Sequence, residues 1–263
     1  MIKHYLKVAF RNLVKYKTQS LVSIIGLAVG FTCFALSVLW IRYEMTYDNF
    51  HEGADRIYLV RAHYANEPGT SKFTPYPLMK YLQDKMPEIE AVTAFTAHYA
   101  KFRMEDTEQE IGMIAADSVF MNFFDIQLLK GTVNFLKCDG QEVAITKEFA
   151  KRLFSKEEDA LGKEVEVGRR VCKIGAIVSG WSNHSNIPYN ILAPARHSPQ
   201  WGSSNEQLLI RVRERTDIDA FRTKMSTVCI NDIEKESELS DLLITRMSAL
   251  RYSDYVDKAD VVI

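Results

Sequence analysis

The sequence lacks the short motifs that carry most catalysis and nucleotide binding. It has no GxxxxGK[ST] phosphate loop, so it cannot itself hold ATP in a P-loop. It has no GxSxG elbow either, because Gly202-Ser203-Ser204-Asn205-Glu206 ends without the second glycine. His51-Glu52 opens like a zinc-protease helix, but Asp55 stands where the second histidine belongs. The four cysteines, Cys33, Cys138, Cys172 and Cys229, form no CxxC spacing and no His-paired ligand set. A zinc module and a disulfide-dense scaffold are thereby excluded. There is no excess of positive charge, 33 Lys plus Arg facing 34 Asp plus Glu, which argues against nucleic-acid binding. With 14 Phe, 12 Tyr and 3 Trp, the chain is too rich in core-forming residues to be disordered. Catalytic, cofactor-binding and metal-ligating residues are accordingly expected to be none. His184, among polar neighbours, reads as a turn histidine, and the acidic run Glu105, Asp106, Glu108 and Glu110 reads as a solvated loop between strands.

One long apolar run is present. Ser20 to Ile41 (SLVSIIGLAVGFTCFALSVLWI) holds no charged residue and no proline. As a helix it measures about 33 Å, enough for a hydrocarbon core of about 30 Å. Upstream stand Lys3, Lys7, Arg11, Lys15 and Lys17 without an acid, whereas Arg42 is followed by Glu44, Asp48, Glu52 and Asp55. The positive-inside rule then places the N-terminus in the cytoplasm and the remainder outside. A cleaved signal peptide is the competing reading, but the apolar run exceeds the usual h-region and continues past the small residues near Ala35. Ile2, Leu6, Phe10 and Leu13 fall on one helical side, with Lys3, Lys7, Arg11 and Lys15 largely on the other. Two readings stay open for this segment: a basic amphipathic helix on the inner leaflet, touching membrane lipid, or topology-setting charges on a frayed tail. Gly26 and Gly30 make a GxxxG step, a candidate helix-packing pair.

The division expected is a cytoplasmic segment 1–19, a transmembrane helix 20–41 and an extracytoplasmic domain 42–263. Within that domain the periodicities predict strands at Arg56 to Ala65, Ile89 to Met104, Asp125 to Lys130, Glu142 to Thr146 and Leu208 to Val212. Helices are predicted at Pro77 to Met86, Ser118 to Phe124, Lys147 to Phe154 and from Ile218, the last capped by Thr216. Lys163 to Val167 and Val171 to Val178 read as a hairpin. Strands and helices in irregular alternation make an α+β domain, with a possible subdomain break or long loop in the Ser-, Asn- and Pro-rich run 179–204. Cys33 is expected unpaired in the span, and Cys138, Cys172 and Cys229 mostly reduced outside it.

Several segments together resemble bacterial FtsX-like ABC transporter permeases with a MacB-like periplasmic core domain. They are GLAVG in the span, YEMTYDNFHEGADRIYLVRAHY from Tyr43, FTPYPLMKYLQDKMPEIEAV from Phe73, AADSVFMNFFDIQLLKG from Ala115, EVAITKEFAKRLF from Glu142, DALGKEVEV from Asp159 and VCKIGAIVSGWSNHSNIPYNILAP from Val171. The resemblance implies a membrane permease subunit of an ABC-type efflux or mechanotransmission transporter in the bacterial inner membrane. It also implies a separate ATP-binding cassette ATPase and a homo- or heterodimer of permease subunits. The family pattern has four spans, one before the outer domain and three after. The sequence carries the first alone, so the expectation is a fragment of a longer permease or a truncated form. The alternative is a single-span anchored binding or sensor protein without ATP coupling.

Overall fold

The computed structural model describes residues 2–65, 68–104, 107–137, 140–181, 184–233 and 239–250, without the side chains of 2, 3, 6, 7, 9, 10 and 228–233. The expectations for Glu105, Asp106, Cys138 and the Cys229 side chain lie outside the described residues. The chain forms two compact units, Met1–Tyr47 and Asp48–Ile263.

The first unit is two helices, α1 (Ile2–Lys15) and α2 (Lys17–Met45). Tyr16, at φ −107° and ψ 56°, breaks the helical path between them. At 1.5 Å per residue, the 29 residues of α2 extend about 43 Å. Two of its polar side chains bond back into the helix, Thr32 Oγ1 donating to the Ala28 carbonyl at 2.8 Å and Ser37 Oγ to that of Cys33 at 2.9 Å. Its surface carries exposed apolar side chains such as Leu27, Phe31 and Leu39, and the helix is long and apolar enough to cross a membrane.

The second unit is α+β. Its elements in chain order are β1 (Ile57–Tyr64), β2 (Thr70–Ser71), β3 (Thr74–Pro75), α3 (Pro77–Lys85), β4 (Ile89–Met104), β5 (Thr107–Ala116), α4 (Ser118–Phe123), β6 (Leu128–Gly131) and β7 (Glu142–Thr146). Then follow α5 (Lys147–Leu153), β8 (Glu164–Val167), β9 (Arg170–Val178), β10 (Ile191–Pro194), β11 (Ser204–Val212), α6 (Ile218–Ile233) and β12 (Leu239–Arg246). Among the described residues twelve strands join one sheet, in the order β12-β1-β11-β4-β5-β10-β7-β9-β6, with β2 beside β1, β3 beside β11 and β8 beside β4 and β9. The strands β12, β1, β11 and β4 pair antiparallel and, with α3 and α6 between them in sequence, make a split βαββαβ unit of ferredoxin-like connectivity. Everything from β5 to β10 is inserted between its second and third strands. In that insertion, β4-β5-β10-β7-β9-β8 closes on itself, because β8 pairs with both β9 and β4, Val167 lying opposite Phe102. Closing the circuit leaves these strands without open edges there.

Period-two alternation divides the strand residues between opposite faces of the sheet. Tyr58, Val60 and Ala62 of β1 and Leu208, Ile210 and Val212 of β11 pack with Leu78, Leu82, Phe221 and Met225 from α3 and α6. Ile57, Leu59 and Leu209 face the other way, onto Phe120 and Phe123 of α4 with Phe95 and Ile114. A third core holds Phe102, Ile111, Ile145 and Ile174 of the strand circuit with Phe149 and Ala150 of α5.

Three expectations need correction. The cap of α6 is Asp217, whose Oδ1 accepts from the Asp219 and Ala220 amides at 3.0 and 3.2 Å, while the Thr216 hydroxyl donates back to the Arg213 carbonyl. Glu108 and Glu110 stand on β5, not in a loop, where Glu108 pairs with Arg103 of β4 at 2.9 Å. The run 179–204 carries β10, which lies between β5 and β7 in the sheet, and its last part, 195–203, leads the chain back to the βαββαβ unit.

Candidate functional site

Asp48 opens the second unit in a conformation few non-glycine residues adopt, φ +59°. Its side chain is fully buried. Ser185 Oγ donates to Oδ1 at 2.5 Å, and the Asn186 amide and Nδ2 donate to Oδ2 at 3.1 and 2.6 Å. The Asp48 amide donates to the His184 carbonyl at 3.2 Å, and Asn186 Nδ2 also reaches the Met247 carbonyl at 3.1 Å. Burial pushes the Asp48 carboxyl above its ordinary value, and the donors from Ser185 and Asn186 oppose that shift. Residues nearly 140 positions apart in the chain are thus clamped together at the first residue after the apolar helix and its two-residue exit. Strain of about 1–3 kcal/mol in the left-handed backbone is held by a bonded network of the kind that over-determines such conformers.

Beyond this clamp lies a cavity of about 490 Å³, lined by the His51 turn, the end of α4, residues 179–181 and Arg211 of β11. Its apolar part is a ring cluster. His51 lies 4.7 Å from Phe124 and 4.9 Å from Trp181 between centroids, and Phe124 lies 5.1 Å from Trp181. The Trp181 indole is fixed by donating from Nε1 to the Ile187 carbonyl at 2.9 Å. Arg211 occupies the face of β11 that packs on α4. Its Nη2 donates to the Phe123 carbonyl at 2.6 Å, and the guanidinium lies 4.7 Å from the Phe123 ring centroid. Burial, with the Arg211 charge as a second cause, lowers the His51 pKa to about 4, so the imidazole is neutral at physiological pH.

A half-buried polar cluster joins β10's exit to three other elements. His197 has Glu206 of β11 at 3.2 Å from Nδ1 and Asp117 at 3.7 Å from Nε2, and Tyr76 stacks on the imidazole at 4.0 Å and 6°. Burial alone lowers its pKa, but the two carboxylates outweigh burial and raise it to about 9. Asp117 also caps α4, accepting from the Val119 and Phe120 amides at 2.9 and 3.1 Å. One imidazolium therefore ties the 195–203 return to the sheet and to α4.

The predicted packing pair, Gly26 and Gly30, sits on α2, and a Cβ built on either meets nothing within 4 Å. Nothing in the fold of the described chain requires their small size. Cys33 is exposed on α2 and Cys172 is buried on β9, and both are free thiols. His184 contributes its carbonyl to the Asp48 clamp. His51 enters the ring cluster, and among the described residues no group of three His, Cys, Asp or Glu side chains could hold a metal. Asp48, Arg211 and Trp181 were not singled out from sequence. The one local signal was the arginine inside the apolar strand LLIRV, where alternation assigns the position to the buried face.

Comparison with known proteins follows the same lines. The family model of the MacB-like periplasmic core domain matches residues 20–228. A domain from Porphyromonas gingivalis described as a permease protein is 20% identical, with a TM-score of 0.58 over 74% of this chain and 92% of that one. The extracellular domain of the ABC-type transporter YknZ from Gram-positive bacteria is 14% identical, TM-score 0.52, over 72% and 99%. The periplasmic region of MacB from Actinobacillus actinomycetemcomitans is 12% identical, TM-score 0.51, over 77% and 94%. No curated protein matches the sequence significantly. The likenesses to solved structures establish the common fold, and the family model covers most of the chain. An apolar helix followed by an α+β domain of this construction belongs to the MacB-like periplasmic core domain family, the outer domain of ABC-type permeases.

Proposed function

We propose that the chain is a membrane subunit of an ABC-type permease acting by mechanotransmission, with α2 spanning the bacterial inner membrane, the basic N-terminus in the cytoplasm and the α+β unit in the periplasm. A separate ATP-binding cassette ATPase drives it, and permease subunits pair as a homo- or heterodimer through spans that include the Gly26–Gly30 face. Efflux of a substrate through the assembly is the activity this reading assigns. The observation that carries it is the Asp48 clamp. The residue at which the chain leaves the helix segment and enters the domain is fixed by four hydrogen bonds to residues 184–186, so displacement arriving along the chain is delivered to the body of the domain rather than absorbed in a slack linker. The family match and the five N-terminal cations support the same placement.

Topology is tested with single cysteines in a cysteine-free background, labelled in intact cells by a membrane-impermeant maleimide. A reporter at Thr70 should react, and one at Gln19 should react only after permeabilisation. Reaction of both in intact cells, or of neither, contradicts the proposal.

A further inference from the structure

The cavity beside Arg211 sets a half-buried guanidinium against an apolar wall. Arg211 is partly buried on an apolar strand face, yet among the described residues no carboxylate pairs with it. Its Nε is buried without a partner, and so is Nε2 of His51. A guanidinium taken from water with only one carbonyl and one ring face against it is an incompletely compensated charge, which an incoming anion would complete. The neighbouring wall is apolar and pre-shaped: Trp181 is held by its bond to Ile187, and Phe124 and His51 pack against it. At about 490 Å³ the space falls in the range of small-molecule sites. Glu52 and Asp125, both exposed, line the same cavity, and their charges disfavour a multiply charged anion such as a phosphate.

We propose that this cavity is a binding site for a small amphipathic carboxylate, its carboxyl group on the Arg211 guanidinium and its aromatic or apolar body against Phe124 and Trp181. The site is independent of ATP coupling. It stands whether or not a separate ATPase drives the chain.

The test uses the full chain in lipid nanodiscs, labelled with 5-fluorotryptophan at its three tryptophans, the Trp181 signal assigned with W181F. Three probes of one shape are titrated: 3-phenylpropionate, 3-phenylpropionamide and 3-phenylpropylamine. The acid should shift the Trp181 fluorine resonance saturably, and the amide and amine should bind at least about tenfold more weakly, since charge-assisted hydrogen bonds separate them. R211Q should weaken the acid about tenfold or more and leave the amide unchanged. E52Q should tighten the acid about two- to fivefold by removing an exposed like charge. Equal binding of acid and amide would reduce the site to an apolar slot and overturn the proposal. Preference for the amine, or no saturable shift at the solubility limit, would overturn it too. Should R211Q lose the native fluorine dispersion, E52Q decides: an unchanged acid affinity there contradicts the proposal.

Discussion

Asp48 carries two costs at once, a left-handed backbone and a buried carboxylate, and its bonds to Ser185 and Asn186 make both tolerable. Asp48→Ala keeps the strained backbone while orphaning a hydroxyl and two amide donors. It should lower stability by about 2–4 kcal/mol, read as a fall of several degrees in the thermal midpoint of the full chain. An unchanged midpoint would show that the clamp is not a structural joint. His197 supplies a pH signature. Its folded-state pKa, about 9, lies above the unfolded value of 6.5, so its contribution is complete below about pH 6.5 and is lost as pH rises through 9. The thermal midpoint should therefore fall between pH 7 and pH 10, and H197Q should flatten that part of the profile. Identical profiles for the two proteins would mean that the imidazolium does not hold Glu206 and Asp117 together.

Elements with strong local periodicity were legible in the sequence. α3, with Pro77 at its start, and the hairpin β8–β9 across Gly168 match their expected spans within a residue or two, because helix and turn signals are local. The elements that sequence reading missed depend on distant partners. β10 is four residues, Ile191–Pro194, in a Ser- and Pro-rich run, and it becomes a strand only between β5 and β7. β12 shows apolar spacing but owes its place to β1, nearly 180 residues earlier. Closure of the strand circuit through β8 and β4 has no local signature either. Of the candidate site, the ring residues and Arg211 come from four separate segments, and only the fold brings them together. On α2 the glycines make a separate prediction: G26L combined with G30L should weaken span association in a membrane dimerisation assay and leave the unfolding of the α+β unit unchanged, since neither position packs within the described chain. Unaltered association would mean that this face meets lipid.

At the scale of the whole molecule, the account joins an apolar helix of bilayer-spanning length to a periplasmic-type domain whose first residue is clamped to the loop at 184–186. The two compact units are separately built, and Asp48 is the first residue of the second. The central claim is that ATP turnover by a partner ATPase is felt there. It is tested most directly by hydrogen–deuterium exchange of the full chain in nanodiscs with its ATPase, comparing the nucleotide-free state with the vanadate-trapped state and following the amides of Asn186 and Ile187. Mechanotransmission predicts that exchange at these amides changes with the nucleotide state in the wild type, and that Asp48→Ala abolishes the difference while leaving ATP hydrolysis by the partner intact. Exchange at Asn186 and Ile187 that is the same in both nucleotide states of the wild-type complex would contradict it and leave the domain an anchored binding module.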